Sequence, residues 1–132
     1  MPQVNLLAVL LATVSSFVIG GIWYGPLFGK AWMDAHGFTP DQLRQGFNPV
    51  RTYGVTFLIG LVTAYTFAMA LDPELSWSTG ATIGVVAGAV WVGGSIATNY
   101  QFENTGNLLL MINAGYHTIR FAAMGAILGG MG

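Results

Sequence analysis

The chain contains no cysteine, which removes disulfides, thiolate metal sites and a cysteine nucleophile together. It is also poor in charge. Four Lys/Arg and five Asp/Glu make up 7% of 132 residues, against roughly 25% in an average soluble protein. So few charges cannot solvate a folded surface of this size, which argues against a soluble enzyme and against a disordered tail. Four basic residues make no patch that tracks phosphates, so no nucleic-acid partner is expected. The sequence has no His-Glu-x-x-His, Gly-x-Ser-x-Gly, phosphate-loop or dinucleotide fingerprint. Its two histidines, His36 and His117, fall in different segments, so neither a metal nor a cofactor is expected.

Apolar residues are abundant: 54% of the chain, with a mean hydropathy of +0.62. A hydrocarbon core of about 30 Å needs roughly 20 apolar residues at about 1.5 Å rise. Four stretches qualify: 4–24, 49–71, 79–100 and 108–128. The expected fold is all-α, a single transmembrane domain over 1–132 built as an integral membrane four-helix bundle. A short interfacial helix is expected in the segment 25–48. Proline breaks a helix interior, and Pro2, Pro26, Pro40, Pro49 and Pro73 all fall at or outside these span ends. The first stretch lacks a basic leading region and is too long for a typical signal-peptide core, so it reads as a mature helix.

Aromatic rings and basic side chains mark interfaces. Trp23, Tyr24, Lys30, Trp32 and Trp77 are therefore expected as interface anchors. Lys30, Arg44 and Arg51 all lie in or beside the first loop, which puts segment 25–48 on the cytoplasmic side of a plasma (inner) membrane and both termini outside. Within that loop Thr39 and Gln42 have the spacing of a capping box, with Pro40 as first helical residue and Phe38 and Leu43 as a hydrophobic staple. Gly46 stops this helix, and Asn48-Pro49 opens the next.

The residues 20–33 (Gly-Gly-Ile-Trp-Tyr-Gly-Pro-Leu-Phe-Gly-Lys-Ala-Trp-Met), 35–39 (Ala-His-Gly-Phe-Thr), 53–55 (Tyr-Gly-Val), 98–103 (Thr-Asn-Tyr-Gln-Phe-Glu) and 112–117 (Ile-Asn-Ala-Gly-Tyr-His) follow one another in characteristic order. In this the chain resembles the membrane family catalogued as domain of unknown function 1761, from Asn5 to Ile127. The resemblance implies a small four-span membrane protein and supplies no functional residues.

Helices in lipid associate through small residues and interhelical hydrogen bonds. Gly80, Gly84 and Gly88 form such a stripe on the third span, Gly60, Ala64 and Ala68 on the second, and Gly125 and Gly129, or Ala122, Ala126 and Gly130, on the fourth. They pack the four helices of one chain, or, being numerous, also join copies in a homo-oligomer, which is the expectation adopted.

Chemistry concentrates on the fourth span. Asn113, His117 and Arg120 are spaced i, i+4, i+7 and share a helix face, with Tyr116 beside them. Both His117 and Arg120 lie near the bilayer centre, where an Arg costs about 2.5–3.5 kcal/mol on insertion scales and must face protein, water or a ligand. All five acids sit in loops or at span ends. At comparable depth stand only Ser15, Ser16, Thr63, Tyr65, Thr66 and Trp91. Either Arg120 is satisfied by carbonyls and hydroxyls, or by Asp72, and locks the bundle, or it forms a site for a small anionic solute, whose planar acceptors match its fork. Asn99, Tyr100, Glu103, Asn104 and Asn107 read as a helix-capping polar turn.

Three functions follow. The first is a small transporter or channel-like protein using the pocket Asn113, Tyr116, His117 and Arg120. The second is an accessory or scaffold subunit whose glycine stripes bind other helices. The third is a small membrane enzyme acting on a lipophilic or conjugated substrate, with Tyr116 or His117 as acid or base. Membrane lipids are partners in all three.

Overall fold

The computed structural model describes residues 4–37, 39, 41, 42, 48–72 and 74–131. Among these the chain is helical, with no strand. The helices are α1 (Leu6–Ile22, prolonged by a wide turn to Leu27), α2 (Gly29–His36), α3 (Pro49–Ala70), α4 (Trp77–Glu103) and α5 (Asn107–Met131). Three segments, Leu6–Leu27, Pro49–Ala70 and Trp77–Glu103, are long and apolar enough to cross a membrane. With its 25 residues α5 is longer than α3, but with Asn113, Tyr116, His117 and Arg120 along its middle it is not among the segments apolar enough to qualify.

Helix ends follow their capping residues. Asn48 accepts from the Arg51 N–H at 3.2 Å, with Pro49 next to it as expected. Thr39 and Gln42 form the expected reciprocal box, Thr39 N–H to Gln42 Oε1 at 2.9 Å and Gln42 N–H to Thr39 Oγ1 at 3.2 Å. Pro40, the Phe38–Leu43 staple, Arg44 and Gly46 lie outside the described residues, as do Pro2 and Pro73. Ser76 accepts from the Thr79 N–H, so α4 begins at Trp77, earlier than the expected start at 79. It runs on to Glu103, where Asn104 takes the left-handed conformation, φ 54°, a common helix stop.

The α-helix of the first span ends at Ile22, before Pro26, as expected. A wide π-type turn over Trp23–Leu27 follows, kinked at Gly25 and closed by the Phe28 N–H on the Trp23 carbonyl at 2.8 Å. Proline has no N–H to donate and its ring crowds the preceding turn; the wider turn accommodates it, and Gly25 absorbs the distortion at φ −97°, ψ −105°. A second π-helical segment, Ala87–Val92, interrupts α4.

The central helix is α5, which lies along α4 on one side and α1 on the other, while α3 packs chiefly on α1. A core of Ala8, Val9, Ala12, Ala64, Leu71, Met124 and Leu128 joins α1, α3 and α5. The outward faces carry Leu10, Leu58, Val62, Val90 and Trp91, an apolar exterior that suits lipid. Asn5 Nδ2 donates to the Met131 carbonyl at 2.9 Å, so the start of α1 meets the end of α5.

The glycine stripes explain the α4–α5 contact. A Cβ on Gly80 would overlap the Gly125 carbonyl, on Gly84 the Phe121 carbonyl, and on Gly88 the His117 carbonyl; one on Gly129 would crowd the Ser76 carbonyl. On the α1–α3 side, Gly60 faces Thr13 Cγ2. Gly80, Gly84, Gly88, Gly125 and Gly129 thus meet this chain's own backbone, and the expectation of a homo-oligomer draws no support from them.

Candidate functional site

At the end of the bundle where α1 turns into α2, two aromatic residues point back at α5. The Trp23 indole N–H donates to the Ile112 carbonyl at 2.8 Å. Its ring edge occupies the space left by Gly115, where a Cβ would stand 2.9 Å from Cζ2. The Tyr24 hydroxyl donates to Asn113 Oδ1 at 2.7 Å, and Asn113 Nδ2 donates to the Tyr100 hydroxyl at 2.6 Å. One amide on α5 therefore ties the ends of α1 and α4 together.

Around this knot the helices leave an open cleft of about 790 Å³, lined among others by Tyr24, Lys30, Trp32, His36, Tyr100 and Asn113. Lys30 is exposed at its edge, and the Trp32 and His36 rings meet at a tilt of 57° with centroids 4.4 Å apart. A second cleft of about 670 Å³ lies between α1 and α3, with Phe17, Gly20, Tyr53 and Tyr116 among its walls. Tyr24 and Gly25 border both.

Behind them, Tyr116 donates its hydroxyl to the Ser16 carbonyl at 3.1 Å and meets the Tyr24 ring edge-on at 5.3 Å. Arg120 lies deeper, 9% exposed and about 20 Å along α5 from Asn107 at about 1.5 Å per residue. Its Nη1 is 3.2 Å from His117 Nδ1. Because a guanidinium only donates, Nδ1 accepts and the imidazole proton sits on Nε2. The guanidinium carbon is 5.1 Å from the Phe121 ring centre and 6.0 Å from that of Tyr116. Arg120 Nε is buried with no hydrogen-bond partner.

Three of the five hydroxyls expected near it are engaged elsewhere. Ser15, Thr63 and Thr66 donate to the carbonyls of Ala12, Ile59 and Val62 in their own helices, a habit of such side chains in helices. Trp91 is 71% exposed and faces outward. Asp72 Oδ1 accepts from the Glu74 N–H. Among the described residues no carboxylate pairs with Arg120, and none of them form a group of three or more His, Cys, Asp or Glu suited to a metal ion.

The four α5 residues thus occupy two settings: Asn113 and Tyr116 line the clefts, while His117 and Arg120 form a pair lining neither. Of the anchors, Lys30 and Trp77 are exposed, Trp32 is half-buried, and Trp23 and Tyr24 turn inward. Of the polar turn, Asn99, Glu103, Asn104 and Asn107 are exposed and Tyr100 joins the site. Sequence reasoning missed the Tyr24–Asn113–Tyr100 knot. The sequence signals beside it are Gly115 and Gly20, small residues that stand opposite the Trp23 and Tyr116 rings.

A family model described as "Protein of unknown function (DUF1761)" matches residues 7–129, which bears out the resemblance drawn from the motifs. No curated protein and no solved structure matches the chain.

Proposed function

The chain belongs to this family of proteins of unknown function, and we propose that it is a four-span integral membrane protein, α5 being the fourth span, that takes up a small anionic solute through the cleft beside Tyr24 and Asn113. Arg120 carries the reading. It is a permanent cation, 9% exposed with an unpartnered Nε, and no described carboxylate offsets it. A bound carboxylate or phosphate would offset that charge, and the fork geometry of arginine suits both. Lys30 gives the cleft a positive edge, Asn113 a polar floor, and the Tyr24–Tyr116 pair separates that floor from Arg120. For a solute to pass, these two rings have to swing, which makes the reading that of a gated carrier.

The test is titration of the protein in nanodiscs with benzoate and with inorganic phosphate, read by native mass spectrometry. Wild type is expected to retain at least one of these probes, and Arg120→Gln to weaken that retention by at least about tenfold, 1.4 kcal/mol. Equal retention by the variant, or none by wild type, overturns the reading. The proposed orientation places segment 25–48 in the cytoplasm and both termini outside a plasma membrane. Because the chain has no cysteine, Ala35→Cys is a clean reporter: an impermeant maleimide should label it only after permeabilisation.

The His117–Arg120 hydrogen bond favours a second reading, an accessory subunit in which that pair only braces α5, with partner helices meeting faces other than the glycine seam. Here Arg120→Met keeps assembly intact, and a larger partner co-purifies in fixed ratio. The enzyme alternative has the cleft it requires at Tyr116, but the Tyr116 hydroxyl is given to Ser16 and His117 lines neither cleft. A homo-oligomer would have to form through faces other than the glycine seam.

A further inference from the structure

We infer that the ligand is an anionic amphiphile whose phosphate or carboxylate head sits in the polar cleft beside Lys30 and Asn113 and whose alkyl tail lies in the groove between α1 and α3. This rests on the anion reading and narrows it to a class of substrate. The two clefts are both lined mostly by apolar groups, differ in charge and share a border at Tyr24 and Gly25. The first has Lys30, His36 and Asn113 on its walls; the second is walled by Phe17, Tyr53 and Tyr116 over a floor of Gly20 and Gly21. Its size, about 670 Å³, falls within the about 300–1,000 Å³ of ordinary ligand sites.

The two share Tyr24 and Gly25, and a Cβ on Gly25 or Gly21 would meet nothing within 4 Å, so the border between them and the Gly21 part of the groove are open. Thr56, on the groove wall, donates its hydroxyl to the Thr52 carbonyl. The Phe17 ring is held by Phe57 at 5.6 Å and Tyr53 at 6.5 Å, giving a fixed apolar wall. Tyr53 is 57% exposed, so the groove opens sideways, where a tail already in the bilayer can slide in while its head stays at the interface. A cleft that holds a cation and an amide at its polar points, bordering at Gly25 a groove with no charged group on its walls, suits an amphiphile.

The experiment uses full-length protein in nanodiscs doped with dodecyl phosphate or, at the same mole fraction, neutral dodecanol, with inorganic phosphate in the buffer as the third probe. Retained ligand is read by native mass spectrometry. The bilayer itself concentrates both alkyl probes, so the quantity compared is variant against wild type. Gly21→Trp and Thr56→Trp fill the groove from opposite walls, and the open space at Gly21 lets the first do so without disturbing the bundle. Both are expected to reduce dodecyl phosphate retention about tenfold while leaving inorganic phosphate unchanged, and dodecanol should be retained far less than dodecyl phosphate by wild type. If both variants retain dodecyl phosphate like wild type, the tail lies in bulk lipid and the amphiphile assignment falls, with the anion reading untouched. Dodecanol retained as well as dodecyl phosphate overturns the assignment too. If Lys30→Gln retains dodecyl phosphate like wild type, the head does not sit in the first cleft and the assignment falls; if Arg120→Gln leaves inorganic phosphate retention unchanged, it is the underlying anion reading that fails.

Discussion

The two halves of α5 pack by opposite means. From His117 to Gly129 it meets α4 backbone to backbone, with glycines facing carbonyls on both sides. From Ile112 to Tyr116 it meets side chains, the rings of Trp23, Tyr24 and Tyr100, each tied by a hydrogen bond to α5 or to its amide. Lipid supplies little hydrophobic drive between helices, so contact must come from close packing or from hydrogen bonds. The seam uses the first and leaves no room. The aromatic end uses the second, and because rings hold helices apart, it leaves two clefts. A rigid half thus carries an open half, and the buried cation sits near the boundary.

The largest expected effect breaks the seam. In Gly84→Leu the new Cβ runs into the Phe121 backbone, which no rotamer change relieves, and a loss of about 3 kcal/mol or more is expected, at the upper end of overpacking costs. Gly94→Leu, where a Cβ meets nothing within 4 Å, should stay within about 0.5 kcal/mol. Unfolding in mild detergent with sodium dodecyl sulfate measures both, and equal stability of the two variants would mean the seam does not hold the bundle.

Next comes the knot. Asn113→Leu leaves the Tyr24 and Tyr100 hydroxyls without their partner, at an expected cost of about 1–3 kcal/mol. Hydrogen exchange should rise around residues 23–27 and 100–113 and stay unchanged along 121–129; an increase over both halves would show that they are not independent. A smaller effect, about 1 kcal/mol, is expected from Trp23→Phe, which keeps the ring and removes the bond to Ile112. Gly115→Ala should push the Trp23 ring outward and shift the tryptophan emission, and the shift should vanish when the substitution is made on the Trp23→Phe background. The smallest belongs to Thr39→Ala, which removes one half of an exposed capping box. About 0.5–1 kcal/mol of local helix stability should be lost, visible in exchange at residues 41 and 42 and absent from global unfolding.

Much of the fold was legible because it rests on local rules. Asn48-Pro49 and Thr39–Gln42 cap where their side chains demand it, and the long apolar runs became the long helices. Pro26 fell outside the first α-helix, as the rule that proline ends a helix demands, with Gly25 beside it supplying the non-helical backbone of the kink. The polar stripe on α5 was legible as a stripe, since 3.6-residue periodicity needs no partner. What each member touches was not: Asn113 meets Tyr24 across 89 positions of chain and Tyr100 across 13, and Thr63 and Thr66 prefer their own carbonyls to Arg120.

By itself the sequence determined the solvent and the element type, because a chain with so few charges and such long apolar runs has to satisfy its backbone internally as helices. It also determined that a lone cation would lie far from any acid. Only the tertiary structure decided that the glycine stripes serve α4 against α5 within one chain, that Trp23 and Tyr24 turn inward, and that two clefts flank Gly25. Those outcomes depend on which surfaces face each other, and a helix specifies its own stripe of small or polar residues without specifying the neighbour that will lie against it.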